Sequence, residues 1–189
     1  MKFFCLALFF FIPGVSMAIE EPKFNFLKED GAYSLRQYDR TVVAETRVQA
    51  GFEEAGSSAF RRLAGYIFGK NSDQSKIAMT APVGMEMEGD GYRVHFTMPA
   101  EWAFEKLPSP DEPSVKLRQL EPRKMAAIRY SGGWSRDRYL EHELLLKKWI
   151  EKNGLHAIGA PVFARYNSPW ALWFLRRNEV LIPVETVGP

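Results

Sequence analysis

The stretch from Trp170 to Glu179 concentrates side chains that could hold a ligand: Trp170, Trp173 and Phe174 come directly before Arg176, Arg177 and Glu179. Aromatic rings present large flat apolar faces, and a guanidinium fork pairs a carboxylate through two parallel hydrogen bonds. Together they suit a flat, apolar ligand that carries carboxylates. A plainer reading has the aromatics capping a sheet and the arginines facing water, and the residues alone leave both open. Glu179 poses a related choice, because a carboxylate placed in an apolar groove is costly unless paired. It either meets a cationic ligand or pairs internally with Arg176 or Arg177.

Three histidines are the remaining candidates for coordination or proton transfer. His142 falls in a helical pattern in which Leu145, Leu146 and Trp149 follow at spacings of three, four and seven, so it borders an apolar stripe with Trp149 beside it. It reads as either a ligand-facing residue or a helix-edge histidine partly in water. His95 alternates with Val94 and Phe96 on a strand, where a cross-strand hydrogen bond would account for it. His156 follows Gly154 and reads as a surface loop residue. Met79 and Met85 sit on alternating segments and read as adaptable core filler. No histidine has metal-ligand spacing around it, and no hydrolytic nucleophile motif or glycine-rich phosphate loop occurs. Catalysis has no positive support in these motifs.

Placing these residues requires a scaffold, and the hydrophobic periodicity supplies one. Period-two alternation through Tyr33, Leu35 and Gln37, then Val42, Ala44 and Thr46, predicts two strands, with Asp39-Arg40 joining them as a hairpin. Phe52, Ala55, Ala59, Leu63 and Tyr66 follow at helical spacing, with acids in the first turn and Gly69 beyond the end. Ile77 to Val83 and Tyr92 to Met98 alternate as two further strands around a Glu88-Gly89-Asp90-Gly91 turn. After the proline-rich bridge from Pro108 to Pro113 the order repeats. Strands are predicted at Val115 to Gln119 and Met125 to Tyr130, with Gly132-Gly133 closing a second hairpin. A helix capped by Ser135 runs to Lys152, and strands follow at Pro161 to Tyr166 and Glu179 to Val184. The pattern is α+β: a pseudo-twofold pair of ββαββ repeats, repeat one over about 24–100 and repeat two over about 114–186, in antiparallel sheets with one helix each. Joining two such halves creates a groove at their junction, where small ligands are usually found.

The first residues read differently. Lys2, the apolar run Phe3 to Ile12, Pro13-Gly14 and the small-residue site Ser16-Met17-Ala18 form a signal-peptide pattern over 1–18. The run is roughly half the ~20 residues that span a bilayer. An exported, periplasmic or secreted protein over 19–189 with no membrane span is the expectation. Cys5 is the one cysteine and lies in that leader, so stability must come from the core rather than from disulfides. A formal charge of +2, with basic pairs such as Arg61-Arg62, Lys147-Lys148 and Arg176-Arg177 set in mixed surroundings, lacks the clustered basic face that nucleic-acid binding needs.

Several strings resemble one family. Tyr33-Ser34-Leu35-Arg36-Gln37-Tyr38 is similar to the opening strand of SOUL/haem-binding proteins, and Gly65-Tyr66-Ile67-Phe68-Gly69-Lys70-Asn71 to their helix end. Lys76-Ile77-Ala78-Met79-Thr80-Ala81-Pro82-Val83 resembles the family's most recognisable segment. Arg165-Tyr166-Asn167-Ser168-Pro169 and Arg176-Arg177-Asn178-Glu179-Val180 resemble its closing pattern, with Asn167 and Ser168 in place of the more usual Asp-Pro. The resemblance implies the doubled ββαββ fold also used by GyrI-like effector domains, and haem or another tetrapyrrole as ligand. It implies that Glu179 matches the acidic residue contacting cationic ligands in drug-sensing relatives. A tetrapyrrole carrier would use Trp149, Trp170, Trp173, Phe174, Arg176, Arg177 and Glu179, with His142 as a candidate for the iron. Two rival functions remain: a small-molecule hydrolase in which Glu179 orients water, and a protein-interaction module whose groove takes a partner segment.

Overall fold

Alternating side chains organise most of the chain into one antiparallel sheet of ten strands with two helices packed on it. The computed structural model describes residues 19–186. The leader expected over 1–18 lies outside the described residues. The elements run β1 (Phe24–Asp30), β2 (Tyr33–Tyr38), β3 (Thr41–Val48), α1 (Phe52–Ile67), β4 (Val83–Glu88), β5 (Gly91–Thr97), β6 (Val115–Leu120), β7 (Arg123–Ser131), α2 (Arg136–Lys152), β8 (Leu155–Ala157), β9 (Val162–Arg165) and β10 (Arg177–Thr186).

Strand order explains how two halves become one sheet. It reads β1-β2-β7-β10-β9-β4-β5-β3-β6, with β8 pairing β10. A pseudo-twofold axis falls at the β9–β4 seam: it exchanges β9 with β4, β10 with β5, β7 with β3 and β2 with β6. The repeat of β2, β3, α1, β4, β5 by β6, β7, α2, β9, β10 is thus real in space as well as in order.

Each repeat, however, lends its first strand to the other half. β2 pairs β7 and β6 pairs β3. The hairpins expected at Asp39-Arg40 and before Gly132-Gly133 therefore do not form; Asp39-Arg40 carries the chain across the molecule, and Gly132-Gly133 leads from β7 into α2. Alternation fixes which side of a strand is buried but not which strand it meets, so adjacency in sequence was a poor guide to pairing. A second correction concerns Ile77 to Val83. Ile77 and Ala81 are buried as the alternation required, but the segment stays outside the ladder until Val83. Ile77 N–H instead donates to the Ile67 carbonyl at the end of α1. His156, expected in a loop, lies exposed in the short strand β8.

The helices form where the periodicity placed them. Ser135 caps α2 through its side-chain oxygen, which accepts from Arg138 N–H, a contact worth about 1 kcal/mol. Both helices cover one face of the sheet. There Ala59, Leu63 and Ile67 of α1 and Leu146 and Ile150 of α2 join Val94, Phe96, Ile128, Phe163, Val180 and Ile182 in the main core. The opposite face carries a smaller apolar cluster of Tyr38, Met125, Ala127, Ala164 and Leu181. That second face is also where the sheet buries charge.

Candidate functional site

The residues singled out in the sequence separate onto two faces of the sheet, because neighbours in a strand point opposite ways. Arg177 and Glu179 face the side away from the helices, whereas Asn178 faces the helices and accepts from Trp134 Nε1 at 2.8 Å. Arg176 lies just before β10, at the edge of the helix face.

On that helix side the 170–176 loop forms a ledge. Trp170, Leu172, Trp173, Phe174 and Leu175 are between 52% and 93% exposed, and Trp173 and Phe174 meet edge to face. Arg176 holds the loop from beneath: Nε donates to the Ala171 carbonyl at 3.0 Å and Nη2 to the Pro169 carbonyl at 2.7 Å. Its guanidinium lies 4.2 Å from the Trp134 ring, and Arg165 approaches the same ring at 5.1 Å. Two cations thus share one indole, which favours an anion nearby. Arg165 also lies over Phe52 and Phe163, and its Nε is buried without a hydrogen-bond partner. Burial, reinforced by the Arg176 charge, lowers its pKa to about 10.

His142 joins this end of the molecule through Tyr130. The two rings stack at 3.7 Å, and His142 Nδ1–H donates to the Arg138 carbonyl at 2.7 Å. A neutral ring with Nδ1 as donor presents Nε2 as acceptor, the arrangement that orients ligating histidines. The Tyr130 hydroxyl is buried without a partner, and burial raises its pKa. Trp149, by contrast, is in the core: Nε1 donates to Asp30 at 2.8 Å, and the ring stacks on Tyr33. It fixes α2 to β2 and the turn after β1, and offers no surface to a ligand.

Glu179 is fully buried on the far face. Arg36 of β2 donates to both its oxygens, at 2.6 and 3.2 Å, Arg177 donates at 3.1 and 3.2 Å, and Tyr166 O–H at 2.9 Å. Burial, the largest single influence, raises its pKa, but the Arg36, Arg177 and Tyr166 contacts together hold it below the usual carboxylate range. Arg177 also pairs with Glu21 at 2.9 Å. Of the internal partners considered from sequence, Arg177 is correct and Arg176 is not. Arg36, the strongest partner, was not among them. Its place on the strand explains the pairing, since Ser34, Arg36 and Tyr38 form the buried polar side of β2 while Tyr33, Leu35 and Gln37 on the other side are only partly covered.

Along the same face, cross-strand register sets Glu179, Ala164, Gly84 and His95 in one row through β10, β9, β4 and β5. The pseudo-twofold axis exchanges Glu179 with His95. His95 has no cross-strand hydrogen bond of the kind expected: its Nδ1 is buried and unpartnered. Burial, with Arg123, Arg118 and Arg93 adding to it, lowers its pKa to about 3, so the ring is neutral. Around it lies an open pocket of about 250 Å³ at the seam between the halves.

Comparison with known proteins agrees with this architecture. The family described as SOUL heme-binding protein matches residues 19–183. Heme-binding protein 2 of Homo sapiens is 28% identical over 168 residues, covering 80% of this chain and 81% of its own. Among solved structures, the EcmrR C-terminal domain superposes with a TM-score of 0.60 at 14% identity, covering 82% of this chain and 98% of that one. A hydrolase from Listeria innocua superposes with a TM-score of 0.59 at 14% identity, covering 84% and 94%. At such identities the structures attest the fold alone. With the family match extending over nearly all of the doubled ββαββ sheet, the chain belongs to the SOUL heme-binding protein family.

Proposed function

We propose that the protein binds haem or a related tetrapyrrole on the ledge formed by residues 170–176, and that it carries, buffers or sequesters this ligand after export. Family membership supports a tetrapyrrole ligand. The observation that carries the choice of place is the exposed apolar run Trp170, Leu172, Trp173, Phe174 and Leu175, standing over two arginines stacked on Trp134. A macrocycle needs a broad flat apolar surface and cations for its propionates, and iron takes an imidazole where one is available. The aromatic ledge, Arg165 with its unpartnered Nε and His142 with its acceptor Nε2 fit those needs. The pocket on the other face, at about 250 Å³, is below the roughly 300–1,000 Å³ of sites that bury drug-sized ligands. The signal-peptide pattern over 1–18 supports the exported setting.

Titrating the mature protein with haemin tests the reading. A saturable Soret change with tryptophan quenching is expected. Trp173→Ala and Phe174→Ala, exposed enough to leave the fold intact, should each weaken binding about tenfold or more, since covering one aromatic is worth roughly 1.5–3 kcal/mol. Equal affinity in the Trp173→Ala/Phe174→Ala double variant, or no saturable binding at all, would refute it. The hydrolase reading asks Glu179 to orient a water, yet each of its oxygens is occupied by internal donors and neither reaches solvent.

A further inference from the structure

We infer that the pocket at the seam between the two halves is a separate binding site for a small carboxylate with an apolar body, held at Arg123. The reasoning starts from a charge without a counter-charge. Arg123, the first residue of β7, points to the face away from the helices, beside Tyr38 in the cross-strand register. Its guanidinium lies 5.9 Å from the Tyr38 ring, and its Nη1 is buried with no hydrogen-bond partner. The neighbouring cations are spoken for: Arg118 is bound to Glu45 at 2.7 and 2.9 Å, and Arg93 to Glu86 and Glu88. Arg123 alone of these three makes no ion pair among the described residues. A partly desolvated cation in this state destabilises the fold until an anion arrives.

The rest of the pocket says what kind of anion. Met125, Val162, Leu181, Pro183 and Leu120 line it with aliphatic surface, and Tyr38 closes one side. On the side of β5, His95 fills the space that Gly84 leaves open. An added Cβ on Gly84 would sit 2.3 Å from its Cε1 and Nε2, so only glycine admits the ring there. His95 is a neutral group with a buried, unpartnered Nδ1, surrounded by three arginines. Curling of the sheet brings Arg123 of β7 within electrostatic reach of His95 of β5, although three strands separate them in the ladder. One unpaired guanidinium suits a single carboxylate, and the aliphatic lining suits a chain or ring of a few carbons. A divalent anion has only one free cation to meet, and a cation would be repelled. The site stands at the Pro183 end of β10, whereas the tetrapyrrole ledge leads into the Arg177 end, so neither assignment depends on the other.

The pseudo-symmetry sharpens the contrast. In one half the row position is Glu179, an anion that neutralises Arg36 and Arg177 internally. In the other half it is His95, which brings no charge to the pocket in which Arg123 of β7 stands.

Octanoate, kept below its micelle-forming concentration, is the probe, with octan-1-ol and octylammonium as matched neutral and cationic controls. Calorimetry and the NMR shifts of the His95 ring should show octanoate binding at least tenfold tighter than octanol, and octylammonium not binding. Arg123→Met should lower octanoate affinity about 10- to 100-fold, the range for a lost charge-assisted hydrogen bond. The same substitution should raise the midpoint of thermal unfolding, because it removes an unpaired cation, whereas loss of a structural arginine would lower it. Octanol binding as tightly as octanoate, or a folded Arg123→Met protein that keeps its affinity, overturns the proposal. Haemin is then added to the octanoate complex. Unchanged octanoate binding supports a separate site, and stoichiometric release of octanoate would make a tetrapyrrole propionate the occupant and overturn it.

Discussion

Replacing Glu179 by Gln should unfold this protein more readily than any other single isosteric change on the groove face. The substitution keeps the shape and removes the charge that meets two guanidiniums. Arg36, at 4% exposure, then has no anion, and Arg177 retains only Glu21. Breaking a buried pair by removing one partner costs about 3–5 kcal/mol, because the remaining charge is left desolvated. Domains of this size have about 5–15 kcal/mol in all and lose about 2–4 °C per kcal/mol, so the midpoint should fall by roughly 6–20 °C. Urea and thermal unfolding followed by circular dichroism measure it. The double variant Glu179→Leu/Arg36→Met, apolar on both sides, should recover most of the loss, as replacing whole buried pairs commonly does. The pH dependence adds a second signature. The folded pKa of Glu179 is depressed, so its contribution is present above the unfolded carboxylate value of about 4.3 and is lost as pH falls through the lower folded value. Glu179→Gln should lack that acid-side loss. A Glu179→Gln protein within about 1 kcal/mol of the parent would refute this account of the network. Such stability would reopen a role for Glu179 in chemistry.

Two further perturbations probe the other half of the row. His95 is neutral in the folded protein, with a pKa of about 3 against 6.5 unfolded. The unfolded chain therefore binds more protons below pH 6.5, and stability is lost as pH falls from there toward 3. Allowing for the ring's partial exposure, about 2 kcal/mol should go between pH 7 and 4.5, and His95→Gln should abolish that share. Parallel urea titrations at the two pH values would show the same slope in both proteins if the ring is not held neutral. Gly84→Ala should cost about 1–3 kcal/mol through collision with the His95 ring, and the Gly84→Ala/His95→Ala double variant should restore much of it. Additive losses in that cycle would mean the two residues do not touch.

The distribution of legible and illegible features follows from what a sequence pattern encodes. Periodicity reports which side of an element is buried. It therefore placed α1, α2 with its Ser135 cap, β5 and β10 within a few residues of their bounds, and it detected the repeat. The turn at Gly89, with φ of +61°, was equally open to local reading, since only glycine readily adopts that conformation. Partner choice is set by three-dimensional competition among strands, and nothing local in Asp39-Arg40 or Gly132-Gly133 distinguishes a hairpin from a crossing to the other half. The site divides the same way. The ledge was visible because its aromatics and Arg176 occupy one continuous segment. Glu179 and Arg36 are 143 residues apart, and only the exchange of β2 into the second half's sheet brings them together. A faint signal for the opposite row did exist: Gly84 interrupts a run of large strand residues, and glycine inside a strand often marks a close approach of another group. What no pattern carries is the ion-pair balance of a buried face. Six arginines and five acidic residues are set along it by register and curl, and only when Arg36, Arg177, Arg93, Arg118 and Arg47 have been matched to Glu179, Glu21, Glu86, Glu88 and Glu45 does Arg123 emerge as unmatched. Glu179 is taken up by Arg36 and Arg177, and the matching row position in the other copy holds an uncharged imidazole, so neither end of the row supplies Arg123 with an anion.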